Sequence, residues 1–132
     1  MDNAILPPAP LHVSADDGRA ADVPSGRLSA LLMAHGSMEL HWYAPAGEDR
    51  QVPHDRDEIY VVAAGSAFFV RAEDTQPFGD DLSLGLAGEE RVAVKPGDAL
   101  FVPAGTEHRF EAASPDFGAW MLFYGPEGGE TS

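Results

Sequence analysis

The chain has 132 residues, 44% of them hydrophobic, which suits one compact domain burying about two thirds of its unfolded surface and leaves no room for a second. Its 22 acidic against 8 basic side chains give a formal charge of −14, which repels phosphate backbones and anionic membranes, so nucleic acid is not an expected partner. With no cysteine, disulfides, thiolate metal sites and thiol nucleophiles are excluded, and any metal must rely on His, Asp, Glu or Gln.

Residues 1 to 27 carry Pro7, Pro8, Pro10 and Pro24 among Asp and Gly without sustained periodicity, and read as an extended arm. Short β-like runs follow over 28 to 124, punctuated by Gly and Pro. Leu28 to Ala34 and Ser37 to Tyr43 flank His35-Gly36, a dipeptide suited to a tight hairpin because Gly accepts positive φ. Glu58 to Ala63 and Ala67 to Arg71 read as a second strand pair around Ala64-Gly65-Ser66. Thr75 to Gly88 is a long irregular connection with one short strand at Leu82 to Leu86. Lys95-Pro96-Gly97-Asp98 has Pro and Gly where a type II turn wants them, and strands at Ala99 to Val102, Glu107 to Ala112 and Phe117 to Tyr124 come after it. Gly125 to Ser132 reads as a loose tail. Eight or nine strands result: an all-β, single-domain sandwich or jelly roll.

Residues two apart share one face of a strand, so His108 goes with Phe110 to the interior, while Glu107, Arg109 and Glu111 face water. Glu58 to Ala63 is apolar on both faces except at Glu58 and Tyr60, as in a strand covered on both sides. An inward Glu58 and an inward His108 are each costly to bury alone, and a shared cation resolves both. His54, four residues before Glu58, supplies a third ligand. Two imidazoles and one carboxylate on one face of a metal suit divalent iron and related ions, with positions left open.

These residues fall in two recognisable patterns. Gly97, Pro103, Gly105 and His108 match G-x5-P-x-G-x2-H, a pattern expected by chance roughly 0.004 times in a chain of this composition. His54, Glu58 and Gly65 match part of G-x5-H-x-H-x3 or 4-E-x6-G; the first histidine is missing, its place falling at Val52 or Pro53, and Gln51 is close enough to serve as a weak fourth ligand or to hold a metal-bound water, with an exposed loop amide as the alternative. Over about Leu28 to Phe123 the chain resembles the cupins. The resemblance implies a double-stranded β-helix, or jelly-roll, barrel with a divalent metal near one open end, held here by His54, Glu58 and His108.

Among the other histidines, His12 lies in the arm. His41 shares a strand face with Glu39 and Tyr43; a solvated face is favoured over a cavity role, and His41 stays a candidate substitute ligand. Tyr60, Phe110, Met121 and Phe123 are candidate cavity walls, although aromatic and Met residues at strand spacing are more often simple core.

The motifs of the commonest hydrolases, nucleotide-binding proteins and zincins are missing: there is no G-x-S-x-G, phosphate loop, G-x-G-x-x-G or H-E-x-x-H. The resemblance implies a metal-dependent enzyme on a small molecule, dioxygenase-like first and isomerase, decarboxylase or lyase next, with iron or manganese favoured and nickel or zinc as rivals. The alternative is a non-catalytic module that binds a metal or small ligand. A cytoplasmic protein without a membrane partner is expected, since no basic segment followed by an apolar run opens the chain and no apolar stretch approaches the roughly 18 residues of a membrane span. A homodimer is expected because two strands carry apolar residues on both faces.

Overall fold

The computed structural model describes residues 9–45, 49, 51–72 and 88–131. Within them the chain forms α1 (Ala15–Ala20) and eight strands: β1 (Ala30–His35), β2 (Met38–Tyr43), β3 (Asp57–Ala64), β4 (Ala67–Ala72), β5 (Glu89–Val94), β6 (Ala99–Val102), β7 (His108–Glu111) and β8 (Gly118–Tyr124). A five-stranded sheet in the order β1-β2-β8-β3-β6 faces a three-stranded sheet in the order β5-β4-β7. The ladders are antiparallel throughout, as in the all-β double-stranded β-helix barrel that was expected. The strand expected at Leu82 to Leu86 lies outside the described residues.

The hairpin at His35-Gly36 forms as expected, with Gly36 at φ 59. The second expected pair does not. β3 ladders with β6 and β8, whereas β4 ladders with β5 and β7, so Gly65 carries the chain from one sheet to the other instead of folding it back. Only glycine serves there: φ is +78, and a Cβ would stand 2.6 Å from the Phe117 Cα. The Lys95–Asp98 turn, closed by a bond from Asp98 N–H to the Lys95 carbonyl, makes the opposite crossing from β5 to β6. A local pattern of two apolar runs around a glycine cannot distinguish a hairpin from a crossover, because both need the same turn chemistry.

Between the sheets, Tyr60, Val62, Phe69, Val94, Val102, Phe110, Phe117 and Met121 pack into one core. The inner face of β3 is therefore Glu58, Tyr60 and Val62, as alternation predicts, while Val61 on its outer face is 40% exposed. Coverage on both sides, expected for this strand, is thus incomplete within one chain.

Segments near both ends pack on the domain. Inside the stretch read as an extended arm, Ser14 caps α1 through a capping box with Asp17, a spacing too short to register as periodicity. The helix lies on Trp42, where a Cβ at Gly18 would clash with the indole, and the Arg19 guanidinium sits 5.2 Å from the Trp42 ring. At the other end Gly128 N–H donates to the Asp55 carbonyl and Glu130 N–H to the Asp57 carboxylate, so the tail is docked beside the start of β3.

Candidate metal centre

Glu58 sits at the start of β3, flanked by Val102 of β6 and Phe123 of β8, and is 0% exposed. His108 opens β7 on the facing sheet and is buried as alternation predicts. His54 lies in the connection before β3, half-buried, with its carbonyl accepting from Gly105 N–H at 2.7 Å. That bond ties the segment carrying His54 to the turn that aims His108. Gly105 holds φ +81 in this turn, closed by Thr106 N–H donating to the Pro103 carbonyl, so the glycine and proline of the G-x5-P-x-G-x2-H pattern shape the turn that aims His108 inward.

The three side chains converge. His108 Nε2 is 3.3 Å from Glu58 Oε1, His54 Nε2 is 4.0 Å from Glu58 Oε2, and one ligand atom from each residue lies within 4.8 Å of the others. Both carboxylate oxygens and both Nε2 atoms are buried without a hydrogen-bond partner among the described residues. Buried polar atoms are almost always paired, so four orphans aimed at one point fit a cation better than empty space. The group could hold one metal ion.

The outer partner of His108 strengthens this fit. Its Nδ1 is 2.9 Å from the Thr106 carbonyl, which can only accept, so Nδ1 carries the hydrogen and neutral His108 presents a lone pair to Glu58. Two acceptors then face each other, and either a proton or a cation must lie between them. Burial disfavours charge on His108, but the adjacent Glu58 carboxylate overcomes this and raises its pKa above the ordinary value. His54 goes the other way: burial lowers its pKa, against the opposing pull of Glu58, and keeps it neutral as a ligand must be.

Gln51 is half-buried, unlike the exposed loop amide that was its alternative reading. Its Oε1 accepts from the Tyr60 hydroxyl at 2.6 Å and its Nε2 donates to Asp49 at 3.0 Å. Asp49 also accepts from the Tyr43 hydroxyl and from Phe110 N–H, the latter at 2.7 Å, and so pins this connection to β7. Val52, one place where the missing histidine would fall, is 66% exposed.

A cleft of about 410 Å³ opens beside His54, lined by Ser29, Glu39, His41, Gln51, Arg56 and Phe123 among others. Met121 also lines it, whereas Tyr60 and Phe110, expected as walls, are core residues packed edge-to-face on each other. His41 departs from the solvated face favoured for it: it is 6% exposed on the cleft wall. As a substitute ligand it is poorly placed, because Nδ1 meets Ser29 Oγ at 2.9 Å and Nε2 meets Glu39 at 3.0 Å, and it stands outside the His54, Glu58 and His108 group. Sequence reasoning missed Ser29, Asp49 and Arg56. Glu39 and His41, two apart on one strand, carried a readable signal of contact; Ser29 and Asp49 carried none, since His41 lies 12 residues from Ser29 and Phe110 lies 61 residues from Asp49.

Comparison with known proteins agrees with this architecture. The chain is 32% identical over 79 residues to an uncharacterized protein of Streptomyces coelicolor, a match spanning 60% of each chain. The fold is similar to that of an uncharacterized conserved protein with a double-stranded β-helix domain from Klebsiella pneumoniae, with 15% identity, a TM-score of 0.58, and coverage of 87% of this chain and 90% of that one. It is also similar to a Cupin 2 conserved barrel domain protein from Salinispora arenicola, with 17% identity, a TM-score of 0.55, and coverage of 88% and 90%. Residues 39–124, which include both turn-and-ligand patterns and every described strand from β3 to β8, match the model of the cupin domain, and the chain belongs to the cupin family.

Proposed function

We propose that this cupin is a metal-dependent enzyme acting on a small organic molecule, with dioxygenase-like chemistry as the leading reading. What supports it above all is the convergence of four unpartnered buried atoms from His54, Glu58 and His108 beside a cleft of substrate size. These three residues would hold one divalent ion, iron or manganese before nickel or zinc, because two imidazoles and one carboxylate are the ligand set that suits those ions. When bound, the ion supplies Lewis-acid chemistry and, for iron or manganese, one-electron redox chemistry at its open positions.

The chain's own residues do the rest. Glu58 brings the charge that balances the ion, and Thr106 fixes the His108 tautomer. Gln51 is proposed as a weak neighbour of the ion, held by Tyr60 and Asp49. Phe123 stacks edge-on against His54 at 4.6 Å and walls that side of the cleft from water. The test is elemental analysis of protein purified without chelator or affinity-tag metal, followed by a screen of small enols, diols and oxo acids in air and without oxygen. Stoichiometric metal and oxygen-dependent turnover are expected; metal-free protein that takes up none of the four ions would overturn the reading.

A further inference from the structure

The metal centre leaves a buried histidine unused. His41 on β2 bonds through both ring nitrogens, to Ser29 Oγ at 2.9 Å and to Glu39 Oε1 at 3.0 Å. We propose that Ser29, His41 and Glu39 form a nucleophilic triad on the cleft wall, able to take the acyl group of a small activated ester independently of any metal.

The register explains how the three meet. Leu31 of β1 is the partner of His41, so Ser29, two residues earlier, comes to the same face, and Glu39 shares that face two residues along β2. All three line the same cleft, which gives an ester access to Ser29. Proton placement follows from chemistry. The Glu39 carboxylate can only accept, so His41 Nε2 carries the hydrogen and Nδ1 is left as a lone pair facing the Ser29 hydroxyl.

Glu39 is itself fixed. Arg56 donates to its other oxygen at 3.0 Å and to the Ser37 carbonyl at 2.7 Å. Burial works against the Glu39 charge, but the bonds from His41 and Arg56 outweigh it and lower its pKa. Burial lowers the pKa of His41, which is therefore a neutral base at physiological pH. Nucleophile, base and orienting carboxylate thus stand in bonding sequence, with the roles of the two ring nitrogens reversed from the usual serine triad. Arg27 lines the same cleft and is a cation available to a developing oxyanion.

In the step proposed, Ser29 Oγ attacks the ester carbonyl carbon while its proton passes to His41 Nδ1. The leaving alcohol departs with the C–O electron pair and receives that proton, leaving acyl-Ser29. Water then repeats the sequence and releases the carboxylic acid.

The probe is p-nitrophenyl acetate on the full chain, with p-nitrophenol release followed by absorbance and acetylation mapped by peptide mass spectrometry. Acetyl-Ser29 is expected, absent in Ser29→Ala. His41→Gln should slow its formation about 10²-fold or more and Glu39→Gln about 10-fold or more, at unchanged circular dichroism. Chelator should leave the rate unchanged, which separates this site from the metal centre: the triad can fail while the metal reading stands, and the reverse. No acetyl group on Ser29, equal rates in His41→Gln and wild type, or loss of acetylation on chelation would each overturn the proposal. Should His41→Gln fail to fold, the Ser29→Ala comparison and the chelator arm still decide.

Discussion

His108 Nε2 and Glu58 Oε1 stand 3.3 Å apart in the barrel interior with no hydrogen bond to satisfy either, because the Thr106 carbonyl has already claimed the His108 hydrogen at Nδ1. Without a cation the arrangement costs stability, since two desolvated acceptors repel. Glu58→Gln replaces one acceptor with an amide donor of the same shape. The metal-free variant is expected to be about 1 to 3 kcal/mol more stable than metal-free wild type, and to have lost tight metal binding. Urea melts in chelator check the first half; a variant less stable than wild type would mean the site is not built for a cation.

His108→Ala and Glu58→Ala should each abolish tight metal binding while the barrel stays folded, because the core between the sheets, not the ion, supplies most of its stability. Gln51→Ala should weaken binding only about 10 to 100-fold, as expected for a residue acting through neighbours. Its oxygen is already engaged by the Tyr60 hydroxyl, so its effect reaches the site mainly through Tyr60 and the loop. Isothermal titration with manganese or zinc beside far-ultraviolet circular dichroism distinguishes these cases, and wild-type affinity in His108→Ala would remove that residue from the site.

Acid should release the metal, since a ligating imidazole must be neutral. The raised pKa of His108 means that protons compete there from above the ordinary histidine value of about 6.5, while His54, lowered by burial, joins at more acid pH. Metal-free protein should show the opposite slope from this pair. A pKa raised on folding contributes stability that is full below the unfolded value and lost as pH rises through the folded one. Thermal melts between about pH 5.5 and pH 8, with and without chelator, should therefore diverge as pH rises. Parallel curves would show that the histidines are not where metal and proton compete.

Much of this centre was legible because its ligands lie in short patterns whose glycines and prolines fix turns. Gly105 and Pro103 aim His108 through backbone bonds only a few residues long, and alternation alone put Glu58 and His108 indoors. What escaped was set by distant pairing. Nothing near Ala64-Gly65-Ser66 tells that β4 leaves for the other sheet, and nothing near Asp49 announces Phe110 N–H as its partner, 61 residues on. His41 shares its strand face with Glu39 and Tyr43 opposite the apolar Met38, Leu40 and Trp42, a pattern that favours solvent; Arg56 and Ser29, which make that face tolerable in the interior, come from other segments.

The outer face of the five-stranded sheet carries the last prediction. Register places Met33, Leu40, Leu122, Ile59 and Phe101 in one row across all five strands, and Ala30, Trp42, Trp120, Val61 and Ala99 in the next. A sheet face turned to water normally alternates to polar side chains, so two apolar rows call for a cover. Helix α1 lies on Trp42 at one end, but Phe101 at the other is 45% exposed. We propose that a second copy covers that end in a two-fold homodimer: chains of charge −14 repel one another, and two rows without carboxylates are where they can meet. Light scattering at micromolar concentration should give twice the 14.0 kDa chain mass. Phe101→Glu should give the single mass, since it would bury an unpaired carboxylate in the interface. It should leave metal binding intact, because Phe101 points away from Glu58, whose register partner on β6 is the neighbouring Val102. A monomeric wild type would refute the dimer, and a dimeric Phe101→Glu would move its interface off this face.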